Sequence, residues 1–275
     1  YDEYLENNLS ESNMQKEIVE RFEEINNIYK NFENVAYDYD DLLEKIYNID
    51  DHIPQIKTLE KEEQLDKYYN LLITWNKKFN LTAIVEEEQV YLKHFYDSLT
   101  ITKVINLNDI NTILDVGSGA GFPGLVLKIF FPHLKLTIID SNNKKITFLN
   151  EVIKELNLEN VTLVHNRCEL FAHENIETFD VVTARAVANL NILLELCLPI
   201  VKINGYFISM KANVSDEIKE IDNELKILNS RIKEIVTFKL PIENSIRNLI
   251  KVEKYSSCPI KYPRNYEKIK KKPLK

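Results

Sequence analysis

Glycine is scarce in this chain, with only five in 275 residues, yet Gly117, Gly119, Gly121 and Gly124 fall within eight positions. That crowding asks what passes so close to the backbone there that side chains are excluded. Cysteine is scarce too. Cys168, Cys197 and Cys258 are scattered, with no CxxC pair and no clustered histidines, which argues for a reducing, cytoplasmic setting and against a zinc or other metal site. Cys168 and Cys197 lie in apolar-flanked segments and read as core filler. No apolar run approaches the roughly 20 residues that cross a bilayer, and no signal-peptide pattern opens the chain, so no membrane partner is expected. The first residue is Tyr1, so a natural start upstream is expected.

A hydrophobic content of 44% and a charged content of 28% are ordinary for a soluble protein. The length allows a sizeable core, and one main domain plus an appendage is expected. The net charge of −8 hides an asymmetry. Residues 1–66 carry 19 acidic and 6 basic side chains, whereas residues 251–275 carry 9 basic and 2 acidic ones. A basic tail on an acidic protein points weakly to a polyanionic partner, and equally to a merely solvated tail.

The N-terminal third reads helical. Met14, Ile18, Phe22, Ile25, Tyr29 and Phe32 form one apolar stripe, too short for a coiled coil but able to pair with another helix. Pro54 marks a linker, so residues 1–57 are expected as an acidic helical extension and residues 58–275 as the main domain with its basic tail. A monomer is the expected state. A second helix follows, with Leu65, Tyr69, Leu72 and Trp75 on one face. From Ile110 onward, strands are predicted at 112–117, 135–140, 161–165, 179–184 and 205–210, and helices at 142–157, 189–202 and 214–229. This alternation predicts a doubly wound α/β domain, a Rossmann-like, mostly parallel sheet. The runs 232–240 and 247–255 have no helix between them and read as an antiparallel pair closing a seven-stranded sheet.

The glycine loop follows the first predicted strand and opens a helix, where backbone N–H groups and the helix dipole meet a ligand. Pro123 is expected in the first helical turn. Gly119, Gly121 and Gly124 satisfy the G-x-G-x-x-G dinucleotide fingerprint, so NAD binding must be weighed. Asp115 tilts the reading away from NAD. "DVGSGAG" is similar to the D-x-G-x-G-x-G pattern of methyltransferases that use S-adenosylmethionine, and Asp140 ends the second strand where ribose hydroxyls would be held. Loop capping is the plainer reading of both acids. On the methyltransferase reading, the methionine and ribose portion of the cofactor lies against the glycine backbone.

After the fourth strand the chain reads "FDVVTARAVANL", with Arg185 where exocyclic-amine methyltransferases carry [DN]-P-P-[YF]. Carbon methylation would need an activated cysteine, and the chain offers only Cys258-Pro259 in the tail. A ring nitrogen with a lone pair needs neither a base nor a covalent intermediate, so positioning suffices.

"YYNLLITWNKKFNLTAI", "YLKHFYDSL", "DVGSGAGFPG", "TARAVANL" and "KYPR" occur here in an order that closely resembles the RsmG (glucose-inhibited division protein B) family. The resemblance covers about residues 60–275, and the N-L-T-A-I and H-x-x-D-S motifs are its most specific parts. It implies transfer of a methyl group from S-adenosylmethionine to N7 of guanine in small-subunit (16S) ribosomal RNA, free or in a subunit precursor. It also implies cofactor contacts at Gly117, Phe122, Asp140, Ser141, Cys168, Glu169 and Arg185, to which the loop adds Asp115, Gly119 and Gly121, and the strand end adds Asn142. Cys168 is thereby moved from core filler to the pocket. Arg185 holds the cofactor carboxylate or the RNA, its plainer reading being a surface salt bridge. Asn80, His94, Asp97 and Ser98 are expected over the cofactor mouth, where His94 either touches guanine or simply packs. Residues 1 to about 35 have no counterpart in the resemblance, and the lysines after "KYPR" are candidates for phosphate contact. The competing readings are an NAD-dependent oxidoreductase, whose Tyr-Lys or His pair is not found, and a noncatalytic RNA-binding module, which the intact loop disfavours.

Overall fold

The computed structural model describes residues 59–274, apart from 213, 215, 216, 219 and 220. The acidic segment 1–57, with its Met14–Phe32 stripe and Pro54, lies outside the described residues.

The first described helix, α1 (Leu59–Phe79), carries Glu60 and Glu62 in its first turn and Lys77 and Lys78 in its last, the order that suits the helix dipole. Leu65, Tyr68 and Leu72 are its wholly buried positions. The expected stripe ran through Tyr69 instead. Both tyrosines fit a three-four spacing, but only the Tyr68 hydroxyl finds a buried acceptor, the Ala120 carbonyl. Tyr69 stays at the margin and reaches the Val85 carbonyl at 3.2 Å. A second helical stretch runs from α2 (Glu87–Val90) through π-helical turns (Tyr91–Tyr96) into α3 (Asp97–Leu99). Widened turns of this kind recur at functional sites.

A seven-stranded sheet follows in the order β3-β2-β1-β4-β5-β7-β6. Its parallel part is β1 (Thr112–Val116), β2 (Lys135–Asp140), β3 (Val161–His165), β4 (Phe179–Arg185) and β5 (Val201–Lys211). Between them run α4 (Gly124–Phe130), α5 (Asn143–Glu155), α6 (Cys168–Glu174) and α7 (Leu190–Cys197). The doubly wound expectation holds, and so does the closing antiparallel pair. The last strand, β7 (Ile246–Lys254), slots between β5 and β6 (Ser230–Lys239) and is antiparallel to both. Two helix expectations shrink. The run from 189 ends as α7 at Cys197 because Val201 already pairs with Phe179. In the expected 214–229 helix, the described helical residues are α8 (Asp222–Ile227). Pro123 caps α4 from outside instead of lying in its first turn.

Alternation along the strands splits the core in two. Ile113, Val181, Ile208 and Leu249 belong to the layer under α1 and α4, whereas Leu114, Val182, Phe207 and Ile250 belong to the layer under α7. With a period of two, Asp115, Arg185 and Arg247 fall on the α1 face of their strands. Parallel order reverses between β1 and β4, and the crevice at the carboxyl ends of such strands is where open α/β sheets hold ligands.

Candidate active site

β1 ends at Val116, and Asp115 just before it is wholly buried. Its Oδ2 accepts from the Ser118 hydroxyl at 2.5 Å and the Gly124 N–H at 2.8 Å, folding the loop back onto its own strand. Its Oδ1 is buried with no hydrogen-bond partner among the described residues. Burial pushes this carboxyl up to about 6, against the pull of the two hydrogen bonds.

The four glycines answer to different neighbours. Gly121 has φ +100°, and a Cβ there would strike the Tyr68 hydroxyl and stand 2.9 Å from Cδ1 of Leu125. At Gly124 a Cβ would stand 2.8 Å from Oδ2 of Asp115, and at Gly117 the same distance from Val187. Packing within the protein therefore accounts for three of them. Gly119 is the exception. Its φ is +65°, and the nearest atom to an added Cβ is Nζ of Lys145 at 3.9 Å, so this stretch of backbone faces open space.

Asp140, at the end of β2, stands beside that opening. Its Oδ2 accepts from the Gly119 N–H at 3.2 Å, and its Oδ1 accepts from the Asn142 N–H at 2.8 Å. Lys145 places Nζ 3.5 Å from Oδ2. Nothing in the glycine motif pointed to Lys145. Its signal was the spacing of five residues from Asp140, across the start of α5.

A second group of polar side chains closes the other flank. Arg185, the last residue of β4, donates from Nη1 to the Lys93 carbonyl at 3.0 Å and to Oδ2 of Asp97 at 3.1 Å. Its Nη2 lies 3.4 Å from Nδ1 of His94, and its guanidinium lies 5.3 Å from the Phe122 ring centroid. Arg247 reaches the other oxygen of Asp97, with Nε at 3.1 Å. Burial holds the Asp97 carboxyl above its ordinary value, and the two arginines offset only part of that rise. Arg185 is thus a largely covered, forked hub and not a surface salt bridge.

His94 stacks on Phe122, with centroids 4.5 Å apart and planes at 13°. An arginine can only donate, so Nδ1 is the acceptor and Nε2 carries the proton. That Nε2–H donates to the Thr82 hydroxyl at 2.9 Å. Burial, followed by the Arg185 charge, pushes the imidazole down to about 4. The N-L-T-A-I stretch explains itself here. Asn80 turns the chain with φ 49°, and the Asn76 side chain bonds both the N–H and the carbonyl of Thr82. Thr82 in turn fixes the ring of His94.

The family model described as rRNA small subunit methyltransferase G matches residues 61–249. The chain belongs to this family. It is 50% identical over 205 residues to the Ribosomal RNA small subunit methyltransferase G of Bacillus subtilis (strain 168), covering 74% of this chain and 86% of that one. It is 49% identical over 215 residues to the protein of the same name from Exiguobacterium sibiricum, covering 77% and 90%. The Staphylococcus carnosus protein of that name is 48% identical over 218 residues, covering 78% and 91%. Membership in a methyltransferase family sets aside the oxidoreductase reading.

In this methyltransferase G fold the remaining expected residues sit on the same sheet edge. Ser141 is exposed, and its carbonyl faces Nε2 of His165 at 3.1 Å. Asn142 caps α5, its Oδ1 accepting from the Lys144 N–H. Cys168 and Glu169 open α6. Cys168 Sγ lies 3.8 Å from the Leu196 carbonyl, and Glu169 is buried beside Arg167 at 3.3 Å. Ser98 is buried and donates to the His94 carbonyl. Among the described residues no group of three or more His, Cys, Asp or Glu side chains could hold a metal ion, and no helix is long and apolar enough to cross a membrane.

Proposed function

We propose that this chain transfers a methyl group from S-adenosylmethionine to N7 of a guanine in small-subunit (16S) ribosomal RNA, free or within a subunit precursor, in the cytoplasm. The observation that carries the reading is the near-half identity, along most of the chain, to proteins named Ribosomal RNA small subunit methyltransferase G. The proposed working state is a monomer.

The cofactor, when bound, supplies an electrophilic methyl group on a sulfonium. The residues present fit it. The backbone at Gly119 is open and sits at a positive φ that glycine adopts freely, and Asp140 beside it is positioned to accept ribose hydroxyls. The Oδ1 of Asp115, without a hydrogen-bond partner among the described residues, supplies a buried acceptor at the base of the loop. Gly117, Gly121 and Phe122 shape the floor. Ser141, Asn142, Cys168 and Glu169 line the edge after β2 and β3, where an adenine would lie. Arg185 presents donors on the face that also carries Asp115.

Guanine N7 carries a lone pair and no proton, so the target needs orientation and no base. His94 suits that requirement. It is neutral at physiological pH, and both ring nitrogens face protein partners. We assign it to positioning the base beside Phe122, with Arg185 holding it in place.

Methylated N7 makes the purine cationic and prone to depurination, which borohydride and aniline convert to strand scission. Small-subunit RNA from cells whose only such enzyme is this one is expected to show one added scission, absent from cells lacking it. A methyl group found on an exocyclic amine, a carbon or a ribose would overturn the assignment.

A further inference from the structure

The C-terminal segment has the charge of a solvated tail but not its attachment. Arg264 forks onto Glu195, with Nε to Oε1 at 2.8 Å and Nη2 to Oε2 at 2.6 Å. Its backbone N–H adds a third bond to Oε1 at 2.9 Å. Glu195 itself is wholly buried in α7. A buried carboxylate held by a bidentate arginine is a geometrically exacting contact, and here it fixes a short helix, α9 (Tyr266–Lys271), against the domain. Tyr262 and the helix's own Ile269 are buried in the core layer that includes α7, and Asn265 caps the helix, accepting from the Glu267 N–H.

What this anchoring holds out to solvent is positive. Lys261, Lys268, Lys270, Lys271 and Lys272 are all exposed, and none pairs with a carboxylate among the described residues. Glu267 is the one acid between residues 255 and 274. The surface extends toward the site, because the Arg167 guanidinium lies 5.5 Å from the centroid of the Tyr266 ring. Arg167 immediately precedes Cys168 on the edge after β3. Lysines in a last helical turn also complement the helix dipole. That accounts for neither Lys261 nor the buried clamp that keeps the segment in one place.

The geometry points to residues 261–272 as a fixed phosphate-binding surface that holds the sugar-phosphate backbone of the RNA beside the methyl-transfer site. This rests on the ribosomal RNA reading and adds a second, sequence-independent contact to it. Cations that neutralise phosphates position a nucleic acid and set its salt dependence, while leaving base recognition elsewhere.

The test is the full chain with Lys268→Gln, Lys270→Gln, Lys271→Gln and Lys272→Gln combined, titrated with small-subunit ribosomal RNA across salt concentrations. Each phosphate contact contributes about 0.7–0.9 to the slope of log affinity against log salt, so the slope is expected to shrink by about 3. The KM for RNA should rise at least ~10-fold near physiological salt. The kcat at saturating RNA and the affinity for S-adenosylmethionine should stay at wild-type values. The same four positions changed to Arg should restore the slope. An unchanged slope, or a variant that also loses cofactor affinity, would overturn the proposal. So would loss of binding to phosphatidylserine vesicles with RNA binding intact, which would make the surface a membrane contact. Failure of the functional reading looks different. The wild-type protein would then bind RNA with the steep slope and transfer no methyl group.

Discussion

The Tyr68 hydroxyl donates to the Ala120 carbonyl at 2.5 Å, across 52 positions of sequence. The same ring stacks on Phe122 at 5.5 Å and closes the space beside Gly121, so the first described helix is the support on which the glycine loop rests. Tyr68→Phe keeps the ring and leaves a buried carbonyl without its donor, at a cost of about 1–3 kcal/mol. Denaturant unfolding should show that loss, and calorimetric titration should show weakened cofactor binding. Wild-type values in both would mean that the hydroxyl does not hold the loop.

The two central glycines should fail differently. Gly121→Ala puts a Cβ against Tyr68 and Leu125 at φ +100°, so it is expected to lower thermal stability sharply. Gly119→Ala meets open space, and its backbone strain is roughly 1–2 kcal/mol. It should fold while losing cofactor affinity, and Gly119→Val or Asp140→Ala should abolish that affinity without unfolding the protein. Near-native cofactor binding in folded Gly119→Val would move the pocket elsewhere.

His94 and Asp115 pull stability in opposite directions with pH. The imidazole titrates near 4 when folded, against 6.5 when free. The unfolded chain therefore binds the extra proton, and stability falls as pH drops from about 6.5 to about 4. Asp115 titrates near 6 against 3.8, so its burial is relieved as pH drops through 6 and costs stability as pH rises through it. His94→Gln should remove only the first effect. Its deficit relative to wild type, measured by urea unfolding, is expected to shrink by about 2 kcal/mol between pH 7 and pH 4.5. Asp115→Asn should shift the difference the other way. A His94→Gln deficit that is flat with pH would show an ordinary, solvated imidazole.

Asp97 carries two guanidiniums on one carboxylate. Asp97→Asn leaves both short of a counter-charge and should cost about 3–5 kcal/mol, whereas Arg247→Ala, which leaves Asp97 paired to Arg185, should cost less. Arg185→Ala should erase the borohydride–aniline scission. Arg185→Lys should not restore it, because one ammonium cannot span the Lys93 carbonyl, Asp97 and His94 together. Wild-type scission from either Arg185 variant would remove that residue from the site.

Deleting residues 1–35 should leave methyl transfer intact, since the family model begins at residue 61. The assay is tritiated methyl incorporation into small-subunit RNA. A folded truncation that no longer bound cofactor would make the acidic segment part of the active domain.

The sheet was legible because its strands alternate with helices, and apolar runs such as "KLTIID" end on a polar residue at the site edge. Asp140 followed from that pattern, Asp115 from the D-x-G-x-G-x-G motif, and Arg185 from its place after the fourth strand together with the family resemblance. Other features were hidden for identifiable reasons. Tyr68 and Tyr69 both satisfy a helical stripe, and only a distant carbonyl decides between them. Packing at Gly117, Gly121 and Gly124 depends on Val187, Tyr68, Leu125 and Asp115, three of which lie outside the loop motif. Arg247 gave no signal at all, being a lone base between Lys239 and Lys251 at the start of a strand. The "KYPR" stretch was visible as a motif, but its partner Glu195 reads in sequence as a stray acid in an apolar helix.

β7 enters the sheet antiparallel, so its first residues lie at the edge where the parallel strands end. Arg247 consequently meets Asp97 across 150 positions of sequence. During synthesis the glycine loop, Asp140 and Arg185 all emerge while Asp97 still lacks its second guanidinium. The site is complete only when nearly the whole polypeptide has left the ribosome, the very class of particle whose RNA the finished enzyme is proposed to modify.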